Sequence, residues 1–101
     1  MNVTSDKPER RDKLAIVAEM LEIAKGGAVK TQIMYRANLS FNQLNDYLLF
    51  LESNGMVELS EADGKSIYII TSKGLDFLQK HSELAKMLNE DGKIQPKTQN
   101  P

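Results

Sequence analysis

Between Ser40 and Asn54 the chain carries Asn42, Asp46, Leu49 and Ser53 on one helical face, with Gln43 and Asn45 beside it. The opposite face is Leu44, Leu48 and Leu51, at the spacing of a buried helical stripe. A side-chain amide offers a donor and an acceptor together, which matches adenine in the major groove of a duplex, and a carboxylate can accept from cytosine. No Lys or Arg occurs from Ser40 to Asn54, so phosphate contacts must come from neighbouring segments. Lys30 and Arg36 stand just before this stretch and Lys65 after it, while Arg10, Arg11, Lys13 and Lys73 are further cations. Tyr35 and Ser40 add hydroxyls able to bond phosphate. The same polar row is also what any solvated helix displays. Gln43 has a second use as well, since a Gln three positions after a Ser forms a capping box.

Other chemistries lack their parts. His81 is the one histidine and sits among apolar neighbours, where a packing role is the simpler expectation. No nucleophile elbow accompanies it, so a catalytic triad has no basis. With no cysteine there is neither a disulfide nor a thiolate metal site. Gly26-Gly27 lacks the Lys-Ser/Thr sequel of a phosphate-cradling loop. The expectation is a non-enzyme with no cofactor, no metal and no evident small-molecule substrate. Thirteen basic against fourteen acidic residues give a net charge of −1, which argues against coating DNA by charge alone. The N-terminus is polar and the apolar runs are short, so no membrane partner is expected and the cytoplasm is the expected location.

The elements that must position these residues follow from periodicity and caps. Residues 1–8 read as a disordered tail and Glu9–Lys25 as a helix, with Leu14, Val17, Ala18, Leu21 and Ala24 on its core face. Gly26-Gly27 stops that helix, and Ala28-Val29 is a short extended piece. A second helix runs Thr31–Ala37, capped by Thr31, with Ile33, Met34 and Ala37 inward. After the turn at Asn38-Leu39, Ser40 caps a third helix that ends at Asn54-Gly55. Met56–Leu59 and Ser66–Ile70 read as strands around an Asp63-Gly64 hairpin turn, with Glu61–Lys65 between them. Thr71 caps a last helix, Ser72–Asn89, and residues 92–101 are a loose tail.

This order predicts an α+β, mainly helical fold. It is a winged helix-turn-helix over residues 9–71, with a two-stranded wing, followed by a C-terminal dimerisation helix over 72–91.

Three strings in that order, KTQIMYRANLS (Lys30–Ser40), QLNDYLLFLESNGMVE (Gln43–Glu58) and YIITSKG (Tyr68–Gly74), resemble archaeal winged helix-turn-helix DNA-binding proteins. That group contains small dimeric chromatin-associated proteins and predicted transcriptional regulators. The resemblance spans roughly residues 14–88. It implies a recognition helix at Ser40–Asn54, a wing at Glu61–Lys65 and a last helix pairing with its copy in an antiparallel coiled coil. The wing departs from a phosphate-gripping pattern, because Glu61 and Asp63 outnumber Lys65.

Self-association is also expected from apolar residues that one small core would leave over. Ile16, Met20 and Ile23 form a second stripe on the first helix. Phe77, His81, Leu84 and Leu88 recur at spacings of four, three and four, the seam of a short coiled coil. Leu75, Leu78 and Ala85 lie beside that seam as a strip for packing on the body. The expected function is therefore binding of double-stranded DNA by a homodimer, as a transcriptional regulator or architectural protein. The expected DNA contacts are Lys30, Tyr35, Arg36, Ser40, Asn42, Gln43, Asn45, Asp46 and Lys65. The alternative, suited to a near-neutral chain with an acidic wing, is a winged-helix module that binds another protein.

Overall fold

Hydrogen-bonding side chains set the element boundaries. The computed structural model describes residues 12–89. Asp12 accepts from the Ala15 N–H at 2.8 Å and starts α1 (Lys13–Ile23), which tightens into a 3-10 turn over Ala24–Gly26. The expected start at Glu9, the cations Arg10 and Arg11, and both expected tails lie outside the described residues. Then follow α2 (Lys30–Ala37), α3 (Phe41–Ser53), the hairpin strands β1 (Val57–Ala62) and β2 (Lys65–Ile70), and α4 (Ser72–Asn89). The fold is a winged helix, mostly helical, and the expected element order holds throughout.

Caps explain most of the joints. The Ser40 hydroxyl accepts from the Gln43 N–H at 3.1 Å while the Gln43 side chain accepts from the Ser40 N–H at 2.9 Å. Together they satisfy two otherwise orphaned donors at the α3 start. Asn38 ends α2 in the left-handed region at φ 56, a conformation Asn tolerates better than most residues. Thr31 is not the cap expected of it. Lys30 is already helical, and the Val29 N–H is met by the Gln32 side chain at 3.0 Å.

The wing is a tighter hairpin than the five-residue connection expected. β1 and β2 pair antiparallel from Val57–Ile70 to Ala62–Lys65, leaving only Asp63 and Gly64 as the turn. Both have positive φ, 51 and 74, and a turn of that hand follows the strand twist. Ala28 bridges to Tyr68 through two backbone hydrogen bonds of 3.0 and 2.8 Å, which ties the α1–α2 connection to the wing.

Thr71 pins the wing to α4. Its hydroxyl donates to the Gly55 carbonyl at 2.6 Å and accepts from the Gly74 N–H at 3.2 Å, while its own N–H donates to the Met56 carbonyl. Gly74 is there because a Cβ would stand 2.5 Å from the Met56 carbonyl oxygen and 2.6 Å from Ile70 Cγ1. The Thr71-Ser72-Lys73-Gly74 string is thus a packing joint.

The core gathers under α1. Met20, Leu21, Ile33, Leu44 and Leu51 are its largest fully buried side chains. Burying each stabilises the fold by about 1.5–3 kcal/mol. Ile16, Met20 and Ile23, expected to face a second subunit, are instead 6%, 1% and 8% exposed within one chain. The reason is that α1 packs against both α2 and α4, so residues of both stripes close into one core. Leu14, expected in the core, is 56% exposed because it lies in the first turn, at the edge of an open groove shared with Phe50 and Phe77. Leu75, expected against the body, is 47% exposed, whereas Leu78 is buried and Ala85 half-buried. The buried line of α4 runs through Gly74, Leu78 and Ala85, and Leu75 sits off it.

Candidate nucleic-acid interface

α3 is anchored by Leu44, Leu48 and Leu51, each at most 3% exposed, and this fixes which residues turn outward. Asn42 and Asp46 are exposed and Asn45 is half-buried. Leu49 is 66% exposed, in the middle of that outward face, and nothing among the described residues covers it. Gln43 is exposed, but its carbonyl oxygen is held by the Ser40 N–H, so its amide NH2 is the part left for a ligand. Ser40 is likewise engaged as the cap.

Tyr35 and Arg36 occupy the last turn of α2, Tyr35 at 76% exposure, with Arg36 also exposed. Lys30 and Lys65 are distant in sequence but line one shallow cleft between the start of α2 and the wing, of about 330 Å³, floored by Leu59 and Tyr68. Lys30, Arg36 and Lys65 form no ion pair among the described residues. Their charges are therefore available to an anion. In the wing the Ser66 hydroxyl donates to Glu61 at 2.9 Å, which orients the carboxylate but leaves its charge in place. Burial, helped by the negative charge of Glu52, raises the Tyr68 phenol above its usual 10.0, so the cleft floor stays neutral at physiological pH.

Two residues gain roles that spacing alone did not assign. Phe41 is 61% exposed, with the Lys30 ammonium 5.9 Å from its ring centroid. Its position directly after the Ser40 cap was the available signal, because a first-turn side chain has no preceding turn to cover it. Asp46, exposed on α3, shares with Lys13 the rim of an apolar groove of about 630 Å³, lined by Leu14, Tyr47, Phe50, Met56 and Phe77.

The α4 seam divides. Phe77 is half-buried against the core and stacks on His81, ring centroids 6.0 Å apart, so the histidine is a packing partner. Leu84 and Leu88 are 56% and 65% exposed. Among the described residues no cluster of three or more His, Cys, Asp or Glu side chains could hold a metal, and no helix is long and apolar enough to cross a membrane.

Known proteins share this fold. Two uncharacterised proteins of Methanocaldococcus jannaschii are similar in sequence. One is 34% identical over 81% of this chain, which spans 37% of that longer protein. The other is 30% identical over 87% of this chain and 88% of its own length. Among solved structures, Sso10a-2, a DNA-binding protein from Sulfolobus solfataricus, superposes with a TM-score of 0.72 at 22% identity, covering 79% of this chain and 84% of that one. BpsR of Bordetella bronchiseptica, whose DNA binding is regulated by 6-hydroxynicotinic acid, gives a TM-score of 0.65 at 10% identity over 90% and 73% of the two chains. At these identities the likeness is one of fold. The winged helix-turn-helix family model matches residues 10–89, which takes in every element from the α1 cap to the end of α4, and the chain belongs to that family.

Proposed function

We propose that this protein binds double-stranded DNA as a homodimer and acts as a transcriptional regulator, without catalysis of its own. The observation that carries the reading is the free outer face of α3. Asn42 and Leu49 project from a helix whose register is locked by its cap and three buried leucines, and no described residue covers them. A helix so presented fits the major groove with its N-terminal half toward the bases. Lys30, Arg36 and Lys65 flank it as phosphate contacts that hold the register without reading sequence. Tyr35 adds a hydroxyl on the same side, and the near-neutral charge of −1 makes these few cations the main electrostatic grip.

Dimerisation rests on α4. Leu84 and Leu88 on the seam, together with Met87 at 75% exposure, leave its far half an apolar surface that a second α4 would cover. Phe77 and His81 continue that seam toward the body. Two α3 helices fixed by such a pairing would enter successive major grooves, and the α4 pairing would set half-site spacing.

Titration of a labelled duplex at two salt concentrations, with mass determined in solution, tests both halves. The expected result is a dimer mass and an affinity that falls steeply with salt. A dimer with no duplex affinity at low salt would instead assign the α3 face to a protein partner.

A further inference from the structure

An isolated exposed leucine is ordinary on a protein surface. Leu49 is informative because of its company. It lies seven residues after Asn42 and four after Asn45, so all three share one side of α3. Phe41, 61% exposed, stands at the start of the same helix with Lys30 over its ring. Guanine shows two acceptors in the major groove and is read chiefly by Arg or Lys, and α3 contains neither. Adenine shows an acceptor beside a donor, which suits a side-chain amide, and its partner thymine adds a C5 methyl that suits an apolar side chain. Asp46 and Glu52 are the exposed carboxylates of α3, and Asp46 also borders the apolar groove beside Lys13. The amides of Asn42 and Asn45 together with Leu49 and Phe41 are complementary to A·T pairs on both strands.

We infer that α3 selects A·T base pairs, burying thymine methyls against Leu49 and Phe41 while Asn42 and Asn45 bond adenine. This rests on the DNA-binding reading and names the sequence class which that site prefers. Lys30 fits the scheme, because its ammonium, 5.9 Å from the Phe41 ring centroid, would hold a phosphate close to a base touched by that ring.

The test uses three duplexes of equal length: one A·T, one identical but with deoxyuridine for thymidine, and one G·C. Uracil differs from thymine only in lacking the C5 methyl. The native protein is expected to bind the thymidine duplex most tightly, losing about fourfold in affinity for each buried methyl removed. In a Phe41→Ala, Leu49→Ala double variant, the ratio between the thymidine and deoxyuridine duplexes is expected to fall to about one. Both positions are exposed, so the variant should fold, and the native ratio is decisive by itself if it does not. Equal binding of the thymidine and deoxyuridine duplexes overturns the methyl readout while leaving DNA binding intact. A preference for A·T over G·C that ignores the methyl would point instead to groove shape or deformability, and also overturns it. Failure to bind any duplex at low salt removes the DNA reading and this inference together.

Discussion

Arg36 and Gly74 show how differently single residues carry this protein. Arg36 sits exposed in the last turn of α2, where its positive charge also suits the negative end of the helix. Arg36→Ala should weaken duplex binding roughly tenfold, to a similar degree on every sequence, and lower the salt slope by about one. Its cost in stability should be only about 0.3–1 kcal/mol. Gel shifts on two unrelated duplexes, with a melting curve of the free protein, separate those effects. Gly74 is the reverse case, remote from the α3 face and intolerant of one carbon. In Gly74→Ala the new methyl would push into the Met56 carbonyl and Ile70, and overpacking of this kind costs about 1–3 kcal/mol. Urea denaturation of the variant should show the midpoint lowered, and an unchanged midpoint would mean that α4 can shift freely on the wing.

At the scale of the element, α3 holds its groove-facing register through its cap. Ser40→Ala removes the acceptor for the Gln43 N–H and leaves the Gln43 side chain bonded from one direction only. The expected loss is about 1 kcal/mol, or about 4–8 °C in Tm for a domain of this size. Thermal unfolding followed by far-ultraviolet circular dichroism measures it. The cap lies within four residues of sequence, so Ser40 and Gln43 already predict the start of α3. Asp63-Gly64 likewise predicts the wing turn, because both residues accept positive φ locally. Thr31 misled for the same kind of reason. Its residue type suits a cap, but the bridge between Ala28 and Tyr68 sets where the chain leaves the extended conformation, and α2 begins one residue earlier.

For the molecule as a whole, the decisive question is what covers α4. Leu84→Lys combined with Leu88→Lys places two charges on the exposed seam while leaving the buried Leu78 line untouched. The double variant should keep its helical content and run as a monomer in light scattering. A dimer mass would move the interface elsewhere, with the apolar groove bordered by Leu14, Phe50 and Phe77 as the next surface to test. By itself the sequence determined the element order, the caps, the hairpin turn and the leucine stripe of α3, because those depend on chemistry acting over a few residues. Only the tertiary structure decided that Ile16, Met20 and Ile23 are interior while Leu14 is not. Only it brought Lys30 and Lys65 into one cleft and set Asp46 and Lys13 beside one apolar groove. A helix's periodicity shows which of its faces are apolar, but which of them is covered depends on the neighbours that pack against it, and those come from distant parts of the chain.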